Sequence, residues 1–263
     1  MTDAVSRIVS LTPSTTEIVA ALGLADRLVG VDADSDQPTD VHALPSVGRG
    51  IQIDTARIVD LRPDLVVTTL GMPGMELVLA KLEHEQIRCL ALAPKNLDDV
   101  IESFLTVGEA TGRREAAQML VAGMHEAIER VATIAAGAEG YPRVYWEWWP
   151  RPLVTVGRYS WITDMIEIAG GANVFADAEQ ESPTIDEDQV FAKAPEVMIA
   201  CWCGAERMPE AEKLKARRGW DLLPAVREDR VYVVPEGLFE RPGPRLAEGL
   251  EHLAKMLHPE LFE

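Results

Sequence analysis

The sequence predicts an α/β fold: two Rossmann-like β/α lobes, residues 1–112 and 138–263, joined by one long α-helix over 113–137. Three observations carry this expectation. Short β-branched runs alternate with helix-patterned segments from the start, the order that builds parallel sheets covered by helices. Residues 113–136 contain no proline and repeat apolar side chains every three or four positions. A stretch of the first half also returns in the second: Ile58-Val59-Asp60-Leu61-Arg62-Pro63-Asp64-Leu65-Val66-Val67 is echoed by Val190-Phe191-Ala192-Lys193-Ala194-Pro195-Glu196-Val197-Met198-Ile199.

Each element follows in order. Residues 7–11 read as an apolar strand. They run into Thr12-Pro13-Ser14-Thr15-Thr16-Glu17 and a helix to about Leu22, with Ser14 or Thr15 as N-cap and Glu17 placed for a capping box. Gly23 stops that helix. Residues 28–31 are a strand, 54–61 a helix closed by Arg62-Pro63, and 65–69 a β-branched strand. A turn at 71–74 precedes a helix over 75–86 and a strand over 87–92; residues 97–112 continue as helix. The long helix presents Ala117, Leu120, Val121, Met124, Ile128, Val131 and Ile134 on one stripe, with Gly123 as its one soft point, and Gly137, Gly140 and Pro142 end it. In the second set, 144–148 and 153–156 read as strands and 160–169 as a helix ended by Gly170-Gly171. Residues 184–192 are helical from about Asp186, 197–202 and 231–234 are buried strands, and 244–257 is a terminal helix.

Composition narrows the function. The chain is 47% hydrophobic and 26% charged over 263 residues, an ordinary globular mixture. No apolar run approaches the ~18–20 residues that span a bilayer. A net charge of −18 repels phosphate backbones, so no nucleic-acid partner is expected. The opening MTDAVSRIVSLTPSTTE lacks a basic start ahead of an apolar core. The expected location is therefore cytoplasmic if the chain is complete as it stands, and periplasmic or cell-surface if a signal or anchor has been removed. Cys89 reads as a core thiol, and Cys201 and Cys203 as strand-end packing rather than a metal pair or a strained disulfide. There is no GxGxxG after the first strand, no phosphate loop, no GxSxG and no HExxH, and the five histidines have no paired metal spacing. The expectation is a protein with no catalytic residue, no metal and no enzyme cofactor.

What does stand out lies at strand ends, where ligands bind in open α/β sheets. Trp146, Trp148, Trp149, Trp161 and Trp202 fall in or beside these loops, as do Phe239, Arg49, Arg151, Arg158, Arg241 and Arg245. Aromatic faces with arginines suit a large planar ligand that bears amides or carboxylates. The period of two along residues 146–149 puts Trp146 and Trp148 on one face and Glu147 and Trp149 on the other, so only one pair need face a ligand. Trp149 and Trp202, both leaving strands at the binding edge, are the expected ligand contacts.

These residues carry a resemblance. RIVSLTPSTTEIVAALG, VGVDADSDQP, RIVDLRPDLVV, PLVTVGRYSWITDMIEIAGGANVF and FERPGPR, in this order, resemble the substrate-binding proteins of ABC importers that serve cobalamin, ferric siderophores and haem. The segment 153–175 and the FER…PR stretch point to the cobalamin branch. The resemblance covers nearly the whole chain. It implies a monomeric binding protein of two lobes linked by a single helix, with little lobe closure, and a corrinoid such as cobalamin or another metal chelate held between the lobes. It places Phe239, Glu240, Arg241 and Arg245 in the motif that touches the corrin side chains, and Trp149 and Pro150 in the loop leading to the ligand floor. Thr12, Pro13 and Ser14 match the first-strand loop, and Asp32 and Asp34 the second. It further implies an ABC permease as partner, docked through Asp188 with Glu187 beside it; the matching first-lobe position is Ala56, a departure, with Asp54 two residues earlier. Siderophore or haem binding, with Tyr159 as a haem ligand, and a cytoplasmic corrinoid-handling or regulatory module are the alternatives.

Overall fold

The computed structural model describes residues 5–202, 204 and 208–262. The chain forms two compact units. One holds the residues up to Pro94 together with Asp98–Met124, the other Lys95–Leu97 and everything from His125.

In the first unit β1 (Ile8–Ser10) leads into α1 (Pro13–Ala21) and β2 (Leu28–Val31). A two-stranded hairpin, β3 (Gly48–Arg49) and β4 (Gln52–Ile53), precedes α2 (Thr55–Leu61). Then come β5 (Leu65–Thr69), α3 (Met75–His84), β6 (Cys89–Leu92) and α4 (Leu97–Ala110). β1, β2, β5 and β6 form a parallel sheet in the order β2-β1-β5-β6. Leu65 to Thr68 are all buried, the continuous apolar run expected of a strand covered on both faces. The start of α1 differs from the expectation. Thr12 is the N-cap and Pro13 the first helical residue, where its missing N–H costs nothing. Ser14, Thr15 and Glu17 therefore lie inside the helix, and no side chain caps it.

α5 (Arg114–Ala135) is one unbroken helix that begins in the first unit and ends in the second. Ala117, Met124, Ala127, Val131 and Ala135 are its buried residues, with Leu120, Val121 and Ile128 half-buried. Ile134, expected on the stripe, is 37% exposed. Four residues after Val131 the 3.6-residue turn returns Ala135, not Ile134, to the covered face.

In the second unit β7 (Arg143–Glu147) is followed by β8 (Trp149–Pro150), β9 (Leu153–Val154), α6 (Trp161–Ile168), β10 (Ala172–Asn173) and β11 (Thr184–Ile185). α7 (Glu187–Lys193), β12 (Val197–Ala200), α8 (Ala211–Lys215), α9 (Pro224–Arg227), β13 (Val231–Val233) and α10 (Leu246–Leu257) complete it. The main sheet is parallel, in the order β10-β7-β12-β13. The expected strand at 153–156 is shorter and lies elsewhere. Pro150 and Pro152 reverse the chain just beyond β7, so β9 runs antiparallel between β11 and β8 in a separate small sheet.

The internal repeat extends to atomic detail. Both main sheets follow one order: second strand, first, third, fourth. Asp54 and Asp186 each cap the helix before the third strand and accept from the backbone N–H three residues on. Both helices end on a left-handed residue, Arg62 at φ 48° and Ala194 at φ 44°, followed by Pro63 and Pro195. Arg7 donates to the carbonyls of Leu61 and Arg62, and Arg143 to that of Ala194. Asp64 then accepts the Arg7 N–H at 2.9 Å, and Glu196 the Arg143 N–H at 2.9 Å. Each half thus clasps its first strand to the turn before its third.

Candidate binding site

At the carboxyl end of the first sheet, the loops after β1 and β2 are tied by hydroxyls. Ser10 Oγ lies 2.7 Å from Thr15 Oγ1, Thr16 donates to Ser10 Oγ at 2.8 Å and lies 2.7 Å from Ser35 Oγ, and Ser35 donates to Asp32 at 2.5 Å. Asp32 also accepts the Asp34 N–H at 2.9 Å. Ser14 and Asp32 are buried and Thr12 and Pro13 half-buried. Asp32, expected at the ligand, is enclosed and braces its own turn. Asp34 and Arg49 meet in an exposed ion pair at 2.8 Å, so two expected site residues come together, but on each other.

At the carboxyl end of the second sheet, Trp149 is exposed and Trp202 half-buried, with ring centroids 6.4 Å apart and planes tilted by 55°. The Trp149 indole donates to the Arg151 carbonyl at 3.2 Å, and the Trp202 indole to Glu147 at 3.0 Å. Glu147 is fully buried and accepts from both terminal guanidinium nitrogens of Arg217, at 2.5 and 2.7 Å. Arg217 in turn lies 4.5 Å from the ring centroid of Trp220. A cavity of about 670 Å³ opens beside them, lined by Pro150, Arg151, Trp202, Lys213, Arg217 and Arg218 among others. Trp146 and Trp161 belong to the core: the first packs on Phe239 at 5.2 Å, and the second donates to the Phe239 carbonyl at 2.7 Å.

The 239–245 motif sits against α10. Gly249 permits this, because a Cβ there would lie 2.1 Å from the Leu238 carbonyl oxygen. The Phe239 ring is fully enclosed and packs on Trp146. Glu240 is likewise buried, accepting the Trp146 indole at 3.3 Å, with its second oxygen unpartnered. Burial pushes its carboxyl up to about 8, although bonds from Cys201 and Trp146 pull the other way. Arg241, 10% exposed at its side chain, pairs with Glu236 at 3.3 Å. Arg245 opens α10, its guanidinium lying over Gly237. Glu187 and Asp188 are exposed in the first turn of α7, where the helix dipole favours acids. Cys201 is buried, and Cys203 lies outside the described residues.

Glu147 and Arg217 were missed as site residues. An acid inside the run Val144-Tyr145-Trp146-Glu147 is the signal that could have found the first; nothing local marks Arg217. Among the described residues no group of histidines, cysteines and acids could hold a metal, and no helix is long and apolar enough to cross a membrane.

Comparison with known proteins gives three kinds of likeness. The family model described as periplasmic binding protein matches residues 8–238. By sequence, the chain is 31% identical to an ABC transporter substrate-binding lipoprotein of Bacillus subtilis, over 98% of this chain and 81% of that protein. It is 28% identical to the vitamin B12-binding protein of Vibrio cholerae serotype O1, over 95% of this chain and 88% of that one. By structure, it is similar to the periplasmic heme-binding protein of Roseiflexus in its apo form, with a TM-score of 0.86 and 26% identity, covering 97% of this chain and 99% of the other.

Proposed function

The chain belongs to the periplasmic binding protein family and is a solute-binding protein of the ABC-importer type, and from that premise we propose that its solute is a corrinoid such as cobalamin. The observation that carries this reading is the Trp149–Trp202 pair beside a cavity lined by Arg151 and Arg218 as well as by Glu187 and Glu210, with Arg217 engaged by Glu147. Two indole faces offer flat apolar area, and arginines offer forked donors to side-chain amides, carboxylates or phosphate. A corrin presents both kinds of surface. On this reading Trp149, Pro150 and Trp202 meet the macrocycle, and Arg241 and Arg245 its polar rim. In the first unit, Thr12, Pro13, Ser14, Asp34 and Arg49 are the candidate contacts at the carboxyl end of its sheet. Phe239, Glu240 and Asp32 support these loops from inside.

The protein releases its solute without chemical change, to a permease reached through Glu187 and Asp188, and works outside the cytoplasmic membrane as a monomer. The names of its relatives, an ABC transporter substrate-binding lipoprotein and a vitamin-binding protein, favour the permease partner and the place outside the membrane. Haem is the second reading, favoured by the exposed phenol of Tyr159, 49% accessible in the loop just before α6.

Titration with cyanocobalamin tests the proposal. A corrin absorbs where tryptophan emits, so emission should fall saturably, and Trp149→Ala should bind about tenfold more weakly, the 1–2 kcal/mol of a lost aromatic contact. Saturation by haemin, with cyanocobalamin quenching no more than an inert dye, would hand the site to the second reading.

A further inference from the structure

We propose that Glu147 is a positioning residue, whose buried carboxylate, gripped by Arg217, fixes the Trp202 indole in the orientation that faces Trp149 before any solute arrives. The inference rests on the binding role proposed above for Trp202.

Four donors converge on this one carboxylate. Arg217 supplies two, the Trp202 indole a third at 3.0 Å, and the Tyr145 hydroxyl a fourth at 3.3 Å. The acceptor cannot shift to follow a moving ring. It projects from the end of β7, whose carbonyl at Glu147 also takes the Cys201 N–H at 3.0 Å, one residue before Trp202. Its ion partner is held from behind, since Arg217 stacks on Trp220, a fully enclosed ring. A buried ion pair is a weak source of stability compared with apolar residues of the same volume. What it supplies here is geometry. An indole turning about two side-chain bonds has several staggered states. A hydrogen bond from its N–H to a fixed acceptor selects one of them, and a ring already ordered loses less freedom on binding.

Trp202→Phe keeps a ring but removes the N–H, and so isolates the link. Cyanocobalamin and haemin serve as probes, using whichever saturates the wild type. Glu147→Gln should bind that probe about tenfold more weakly. In the Trp202→Phe background the same change should cost nothing further. Equal losses in both backgrounds would mean that Glu147 acts on the unit as a whole, and would overturn the proposal. Should Glu147→Gln fail to fold, Arg217→Lys, which keeps the charge and loses the fork, should give a smaller loss with the same non-additivity.

The ligand-free protein gives an independent answer. In the ¹⁵N spectrum of the six tryptophan indoles, the Trp202 signal is the one missing from Trp202→Phe. Its proton should exchange slowly with water in the wild type and quickly in Glu147→Gln. A Trp202 proton that exchanges freely in the wild type, or is unmoved by Glu147→Gln, overturns the inference even if neither probe binds. If neither probe binds while the Trp202 proton behaves as expected, the binding reading alone falls.

Discussion

Glu240 is an acid kept in its neutral form by enclosure. Its carboxyl titrates near 8 in the folded protein against an ordinary value of 4.5, with burial as the main cause. Below about pH 4.5 both the folded and the unfolded chain hold this proton. Between there and about 8 the unfolded chain releases it and the folded chain retains it, so this residue makes the protein less stable as pH rises through that window. Glu240→Gln cannot titrate. Its melting temperature relative to wild type should therefore move upward from pH 5 to pH 8, and a difference that stays constant across that range would show that Glu240 ionises normally. The resemblance placed Glu240 and Phe239 in a motif that touches the ligand, whereas both side chains are buried. Their burial is set by Trp146, far back in the chain, and by the close approach of α10, and no local pattern encodes either. Trp149, expected to leave its strand at the sheet edge, instead opens β8 and pairs with Val154 in the small sheet, with its ring exposed.

The elements were easier to read than their ends. β2 and β5 have the expected bounds, since β-branched runs between turn residues have one reading. The start of α1 was misplaced because Thr12, Ser14 and Thr15 are all good caps, and only Pro13 decides among them. Along α5 the apolar pattern was right in period but drifted at its end. Val131 is 1% exposed and Ile134 37%, so Val131→Ala should cost about 2 kcal/mol of stability in denaturant unfolding, against about 0.5 kcal/mol for Ile134→Ala. Equal costs would mean that the covered face had been misassigned. Gly123, in the same helix, meets nothing within 4 Å of an added Cβ. Gly123→Ala should stabilise the protein by about 1 kcal/mol through helix propensity alone. A loss on the same measurement would show that the glycine is needed for bending.

For the molecule as a whole, charge is the dominant long-range term. A net charge of −18 repels itself in the compact state, while the exposed ion pairs, such as Arg49–Asp34 and Lys213–Glu210, contribute little. Raising sodium chloride from low ionic strength to 0.5 M, where the screening length is a few ångströms, should raise the melting temperature by a few degrees. A fall would mean that specific ion pairs outweigh the repulsion. The two-part organisation was legible because the repeat around Pro63 and Pro195 survives in the residues themselves. The clasp made by Arg7 and Arg143 was not, because it joins residues more than fifty positions apart.

All strand pairing before α5 is completed by residue 92, and all strand pairing after it begins at residue 143. Among the described residues no strand pairs across the two stretches of sequence. A gene spliced once, within the codons of this helix, to that of a distant relative would leave every β-ladder with both of its native partners. For recombination the helix is a seam at which one half can be exchanged without unpairing a strand of the other.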